Sequence, residues 1–243
     1  MAKRRQKGIG SRASPRQKVS KNQLLTGVNL PKWLRDKLAS SLDKAVTKEA
    51  FFARIGEIWP IYSKKYRMVE RAYDAMERDF AHVKRDNGDL YFEHLRASAL
   101  IAIVYMRVRS ANVICAILLH DSVEDLPKKW SFERIAAEFN RKIANLVYYV
   151  TKPVKNGNHE TNADVDRRYH RRLQKAPRKA ICIKLADRLH NIITIWGQDA
   201  ERIRRKVSET KDFILPLAEK YHMLVHEFED VLDVVERRLA RVS

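Results

Sequence analysis

The chain has 243 residues, 45% hydrophobic and 33% charged, with a formal net charge of +19. That length and apolar content suit one large domain or a domain with appendages, and only 7 glycines and 7 prolines exclude a loop-rich all-β protein. So positive a charge implies an anionic partner, whether nucleotide, nucleic acid or acidic membrane surface, without saying which.

Residues 1–28 hold eight cations from Lys3 to Lys21, and no acid precedes Asp36. Few large apolar residues accompany them, so the segment reads as a flexible, disordered basic tail. A solubilising tail is the plain reading, and a tether to nucleic acid or the ribosome is the sharper one. No apolar core marks a secretory signal, although an acid-free basic start also mimics an organellar transit peptide. Residues 29–62 read as an N-terminal helical extension. Pro31 stands near a helix start, apolar positions then recur at helical spacing, and a second helix over 48–59 is interrupted by Pro60.

The main domain is read as residues 63–243. A long amphipathic helix covers 65–82, and Asp86-Asn87-Gly88-Asp89 is a turn. Helix resumes at Phe92 and runs to Met106. The most apolar stretch, 99–119, is broken by Arg107 and Arg109 into pieces too short to span a bilayer, so no membrane partner is expected. Ser110 or Asn112 starts the next helix, which Pro127 closes. Ser131 caps the following helix, a short helix covers 142–150, and 153–162 is a loop. Helices at 164–173 and from Pro177 follow, with Gly197 interrupting the latter. Residues 201–241 read as two long helices around Pro216. The prediction is an all-α bundle of nine to eleven helices. Cys115 and Cys182 lie in apolar runs and read as buried thiols in a reducing, cytoplasmic compartment.

The chemistry concentrates in HDSVED, His120 to Asp125, at the end of the apolar run VICAILL. Buried carboxylates are too costly unless paired or bound to a metal. On a helix His120 shares a face with Glu124, and Asp121 with Asp125. Adjacent residues point about 100° apart, so His120 and Asp121 grip one ion only at a helix end that faces a cavity. With His94 upstream and Asp187 inside another apolar helix, they form a candidate two-His, two-Asp site. Imidazole with carboxylate suits Mn²⁺, Fe²⁺ or Zn²⁺ better than Mg²⁺. Asn191, one turn past Asp187, is placed to donate to a ligand oxygen or a nucleotide. His190 reads as a packing histidine that points elsewhere. His82, His170 and the pair His222 and His226 lack a third ligand.

These motifs resemble the metal-dependent HD phosphohydrolases, specifically the hydrolase domain of RelA/SpoT homologues. RDNGDLYFEH, ICAILLHDSVED, FERIAAEFNRKIANLVYYVTK, KLADRLHNIIT and RRKVSETKDFILPLAEKY carry the likeness in order, from about residue 65 to residue 225. The resemblance implies an HD-domain helical bundle and His94, His120, Asp121 and Asp187 as metal ligands. It implies Glu124 and Asp125 as the residues that position and activate water. Arg85, Asn191 and Thr194 would line a nucleotide pocket, with Arg85 against the base. The implied activity is Mn²⁺-dependent hydrolysis of the 3′-pyrophosphate of guanosine alarmones, ppGpp to GDP and pyrophosphate. Lys152, Lys155, Arg167, Arg168, Arg171 and Arg172 are the cations expected to face the phosphates.

The chain departs from the family pattern in four places. Asp86 and Asn87 stand where the family usually has a basic residue and a serine, Leu95 replaces a proline, and Ile193 replaces an arginine. With the sequence ending at Ser243, no synthetase domain is expected, and the chain resembles the small standalone alarmone hydrolases. An antitoxin role against an alarmone-making toxin is then one option. Two other readings stay open. One is an HD-type phosphohydrolase acting on ppApp, a dNTP or NADPH. The other is a nucleic-acid-binding protein with a degenerate metal site.

Overall fold

A computed structural model describes residues 32–36, 46–157 and 160–241. The tail expected over 1–28, and most of the extension before residue 46, lie outside the described residues. Among the described residues a helical stretch covers 32–36, and from Lys48 onward there are twelve α-helical segments and two π-helical turns. The one β feature among these described residues is an isolated bridge between Lys84 and Leu90. No described helix is long and apolar enough to cross a membrane.

Helix α1 (Lys48–Gly56) starts where the Thr47 hydroxyl accepts from the Ala50 amide, satisfying one of the donors left free at a helix start. It buries Phe51, Phe52 and Ile55 against α2 (Lys64–Asp79). The ring centroids of Phe51 and Tyr73 lie 4.9 Å apart, and those of Phe52 and Tyr66 lie 5.4 Å apart. The part of the extension that is described therefore shares one core with the main domain.

The centre of the bundle is α4 (Ala111–Leu119), apolar at every position but Asn112 and enclosed by its neighbours. It packs on α2, on α3 (Tyr91–Leu100), on α7 (Arg141–Val150) and on α9 (Arg178–Ile193). Ile114, Ile117, Leu118 and Leu119 are fully buried, each worth about 1.5–3 kcal/mol relative to exposure. That anchorage fixes the end of α4, where His120 begins. Helix α3 continues into a π-helical turn, Ile101–Tyr105.

The helix expected through HDSVED is interrupted. Helix α4 ends at Leu119, and a single turn, α5 (Ser122–Asp125), follows. The Ser122 hydroxyl donates to the Leu119 carbonyl at 2.7 Å, taking up an acceptor at the break. Helices α6 (Phe132–Glu138) and α8 (Asn162–Gln174) are capped by Ser131 and Thr161. Near the C-terminus the chain forms α10 (Ala200–Glu209), a π turn Thr210–Ile214, α11 (Leu215–Tyr221) and α12 (Val225–Ala240). The break expected at Pro216 falls instead at His222 and Leu224, both in the left-handed region with φ of 52° and 60°. Pro216 sits in the first turn of α11, where its missing amide costs little. These additional breaks are why the segments outnumber the nine to eleven expected. Cys115 and Cys182 are free and buried, as the sequence implied.

Candidate metal centre and cleft

Three elements converge on one point: the start of α3 with His94, the break after α4 with His120 and Asp121, and the middle of α9 with Asp187. The imidazoles and Asp187 are almost wholly buried. Ligand atoms of His94, His120 and Asp187 all lie within 4.8 Å of one another. Asp121 Oδ2 is 3.1 Å from His120 Nε2 and 3.6 Å from His94 Nε2. Asp187 Oδ1 is 3.2 Å from His94 Nε2 and 3.4 Å from His120 Nε2. Because the helix ends at Leu119, adjacent His120 and Asp121 both face this point, which a continuous helix forbids.

The hydrogen bonds around the imidazoles select the tautomers a cation needs. His120 Nδ1 lies 2.6 Å from the Ile117 carbonyl. The carbonyl only accepts, so Nδ1 carries a proton and Nε2 is the nitrogen a cation would take, displacing the proton that Asp121 and Asp187 favour on the ring against burial. That Nε2 is buried without a hydrogen-bond partner, close to two carboxylates but aligned with neither. An orphaned buried nitrogen between carboxylates is a costly arrangement that a divalent cation satisfies. His94 Nδ1 lies 2.8 Å from His190 Nδ1. Burial first, then His94 and Arg85, pull the His190 pKa well below its usual range. A neutral His190 accepts through Nδ1, His94 donates, and His94 Nε2 is left free to coordinate.

The acids are held in place from outside. Lys184 Nζ donates to Asp187 Oδ2 at 2.8 Å, and Asn191 Nδ2 donates to Oδ1 at 2.5 Å. The Tyr91 hydroxyl donates to Asp121 Oδ2 at 2.9 Å. Burial, then the charges of Asp121 and Asp125, push the Tyr91 pKa far up, so it stays a donor. Burial opposes ionisation of Asp121 and Asp187. The neighbouring His120 outweighs it at Asp121, and Lys184 with His120 outweighs it at Asp187, so both carboxyls stay well below their usual range. The donor set of two imidazole nitrogens and carboxylate oxygens thus fits a divalent cation.

The centre forms the floor of a cleft of about 690 Å³. Glu124 and Asp125 open onto it; their side chains are exposed, but the cleft walls crowd the carboxyls. That desolvation, with the charge of Asp121, raises the pKa of both. Glu124 Oε2 accepts from the Lys152 amide at 3.0 Å. Arg85 reaches the opposite side, donating to Asn191 Oδ1 at 2.5 Å and to Thr194 Oγ1 at 2.9 Å. The chain Arg85–Asn191–Asp187 therefore links the expected nucleotide residues to the centre. Asp86, at the rim, accepts from Gln198 Nε2 at 3.1 Å and pairs with Arg202 Nη1 at 2.9 Å. Gly197 lets this rim close: with φ of 97°, a Cβ there would stand 3.3 Å from the Asn87 backbone.

The cations expected at the phosphates divide. Lys152 lines the cleft, paired with Asp166 at 2.5 Å. Arg171 is exposed on α8 and does not line it. Arg167 pairs with Asp164, Arg168 holds Glu160, and Arg172 donates to the Thr151 carbonyl. Helix α8 lines the cleft through Asn162, Asp166 and Tyr169 but not through its arginines, and the wall takes Arg188 from α9 and Arg202, Arg205 and Lys206 from α10. Tyr91 and Lys184 had no place in the expected site, and His190, expected to point elsewhere, faces His94 instead. Their signal was helical spacing: Tyr91 and Lys184 each stand three residues before a candidate ligand, and His190 stands three after Asp187.

Comparison with known proteins agrees with this geometry. A family model described as HD domain matches residues 72–223. The chain is 35% identical over 176 residues to a GTP pyrophosphokinase of Streptomyces coelicolor, covering 70% of this chain and 20% of that protein. It is 30% identical over 172 residues to a guanosine-3′,5′-bis(diphosphate) 3′-pyrophosphohydrolase of Aquifex aeolicus, covering 70% of this chain and 24% of that protein. The chain thus spans about a fifth to a quarter of the length of these curated relatives. A solved structure reported as a metazoan ortholog of SpoT that hydrolyses ppGpp superposes with a TM-score of 0.62 at 22% identity. The match covers 74% of this chain and 98% of that one, a likeness of fold. The chain belongs to the HD-domain family, with a fold related to that of the RelA/SpoT alarmone hydrolases.

Proposed function

We propose that this protein hydrolyses the 3′-pyrophosphate of a guanosine alarmone, converting ppGpp to GDP and pyrophosphate with Mn²⁺ as the cation. The observation that carries the reading is the convergence of His94, His120, Asp121 and Asp187 at the floor of a cleft whose side presents Arg85, Asn191 and Thr194. A divalent cation held by those four residues would supply Lewis acidity, stabilising charge on a phosphoryl oxygen and making a nearby water more acidic.

The chain's own groups do the rest. Glu124 and Asp125 stand beside the floor and hold the attacking water, with a carboxylate of raised pKa serving as its base. The Lys152 amide fixes one Glu124 oxygen and leaves the other for that water. Release of pyrophosphate intact requires water to add at the phosphorus joined to the ribose oxygen, with that ester bond breaking and the anhydride surviving. Arg85 stands near the nucleoside, its guanidinium oriented by Asn191 and Thr194. Lys184 restrains Asp187 and stays charged: burial opposes its charge, but Asp187 beside it outweighs burial.

The test is incubation of purified protein and Mn²⁺ with ppGpp, ppApp, dGTP and NADPH, with products separated by ion exchange. GDP and pyrophosphate from ppGpp, at a rate above the other three, is the expected result. Orthophosphate or triphosphate as the product, or faster turnover of another nucleotide, overturns the assignment.

A further inference from the structure

A second cavity lies away from the metal centre and shares no lining residue with its cleft. It encloses about 770 Å³, a volume typical of sites for small ligands and cofactors. Three places in the chain form it: the π turn and loop between α3 and α4, the first turns of α9, and the break between α11 and α12. Among the described residues, every non-glycine with positive φ gathers there. His222 and Leu224 line the cavity, and Arg107, with φ of 57°, stands between Met106 and Val108, which line it too. Left-handed backbone strains a residue that has a Cβ, and strain of that kind collects at ligand clamps. Glycine at His222 or Leu224 would relieve it, but the side chains kept there wall the cavity.

The lining changes from inside to outside. Glu227, in the first turn of α12, is buried. The Tyr105 hydroxyl donates to its Oε1. Among the described residues Oε2 has no donor, and the carboxyl has no counter-ion. A buried carboxylate oxygen without a donor is costly. The walls beside it are apolar, with Met106, Val113, Met223 and Leu224, and thioethers make favourable contacts with aromatic rings. Arg178 and Lys179 are exposed and stand at the mouth, neither paired with an acid among the described residues. Arg178 is held there by donating to the Tyr221 carbonyl at 3.0 Å. Both residues open α9, whose cap residue Pro177 gives no side-chain hydrogen bond to the first amides. The positive end of that helix therefore adds to their charge.

We infer that this cavity is a second ligand site, separate from the hydrolytic cleft, that takes a guanine nucleotide. Three features select that class. A carboxylate only accepts, so the inner end calls for a ligand edge made of N–H donors. Guanine offers N1–H and N2–H₂ side by side, whereas adenine offers an unprotonated N1. The methionine and leucine walls suit a flat base, and the cations with the helix start at the mouth suit its phosphate. None of the cleft's residues takes part, so the inference stands independently of the hydrolase reading.

The experiment titrates GMP, AMP and guanosine into wild type, Glu227→Gln, and the double variant Arg178→Met with Lys179→Met, using calorimetry. In parallel, maleimide labelling of Cys182 is followed by peptide mass spectrometry. Cys182 lines this cavity, its thiol pushed up to about 11 by burial, so it labels slowly. Cys115 is fully buried inside α4. Protection of Cys182 therefore reports this cavity and not the cleft. GMP should protect Cys182 and bind more tightly than AMP or guanosine. The double variant, altered only at exposed positions, should fold and should bind GMP about 10-fold or more weakly, with guanosine unaffected. Glu227→Gln still gives Tyr105 an acceptor but turns an amide nitrogen toward the base. GMP should weaken about 10- to 100-fold there, and its advantage over AMP should vanish. Melting curves check folding, and the double variant keeps the test decisive if Glu227→Gln unfolds. GMP that leaves Cys182 unprotected, or that binds all three proteins alike, overturns the site. Equal protection by AMP, or an undiminished GMP preference in Glu227→Gln, overturns the guanine assignment.

Discussion

The floor and the wall of the cleft are built on opposite plans. On the floor the two buried ligand acids are tied to neighbours: Asp187 to Lys184 and Asn191, Asp121 to Tyr91. Only His120 Nε2 is left over. On the wall the leftovers are cations: among the described residues Lys206, Arg205 and Lys84 line the cleft with no acid partner. A floor short of positive charge suits a metal ion, and a wall with surplus positive charge suits a phosphate. The unsatisfied groups, more than total charge, separate the two regions, since paired charges cancel locally.

Changing the floor should have the largest effects. Asp187→Ala removes an oxygen shared between two imidazoles and strands Lys184, now a buried charge without its counter-ion. Metal content of purified protein should drop from about one ion per chain to near zero, and turnover should fall by roughly 10³-fold or more. A variant that keeps its ion and its rate would remove Asp187 from the centre. Glu124→Gln is the sharper cut, because it preserves shape and the contact with the Lys152 amide. Metal content should stay near one while kcat falls roughly 10²-fold, the usual size of a general-base contribution. An unchanged kcat would leave Asp125 as the sole holder of the water.

The sequence displayed the floor far better than the wall, and the reason is physical. Ligands embedded in apolar helices stand out, because a carboxylate between leucines has no cheap explanation. His94, His120, Asp121 and Asp187 were legible on those grounds, and the resemblance added Glu124 and Asp125. The all-α class followed from periodicity and scarce glycine. The break at His120 and Asp121 was not legible in the helical pattern of VICAILLHDSVED, although the need for both to reach one ion required a helix end. The wall was misplaced because α8 and α10 are both rich in arginine. Which of them is neutralised depends on partners distant in sequence, such as Asp86 for Arg202, and a composition count does not contain that. The break at His222 and Leu224 gave no signal either, since neither residue is a glycine or asparagine.

A middle-sized effect is expected at His190, which touches the floor from behind. His190→Phe preserves the ring but removes the acceptor for His94 Nδ1–H. The His94 tautomer is then no longer enforced, and affinity for Mn²⁺ should weaken about 10- to 100-fold, as for other outer partners of metal-binding histidines. Saturating metal should restore most of the turnover. Turnover that stays low at saturating Mn²⁺ would mean that His190 does more than orient His94.

The wall makes a prediction about pH. Burial first, then Arg202, Arg188 and Arg85, bring the Lys206 pKa down to about 8, so it is charged below that value in the free protein and neutral above it. GDP affinity should therefore be flat below that value and fall as pH rises through it. In Lys206→Arg, whose guanidinium keeps its proton throughout, the fall should disappear. The sign follows from the lowered pKa, since deprotonation removes the charge that attracts the phosphate. A profile that falls identically in both proteins would assign the titration to another group.

The smallest effects separate α8 from α10. Arg171 is exposed on α8, outside the cleft. Arg205 is exposed as well, but it lines the cleft beside Lys206. Both substitutions to methionine remove one positive charge, so any general attraction of the chain for an anion falls equally. At physiological salt the Debye length is about 8 Å, so a charge outside the cleft is mostly screened from a phosphate within it. Arg171→Met should leave KM for ppGpp within about twofold, while Arg205→Met should raise it about three- to fivefold, as for a charge at a binding-site rim. Raising the salt should shrink the Arg205 difference, because an exposed charge acts through solvent. If instead Arg171→Met has the larger effect, the phosphates run along α8, and the division between floor and wall must be redrawn around that helix.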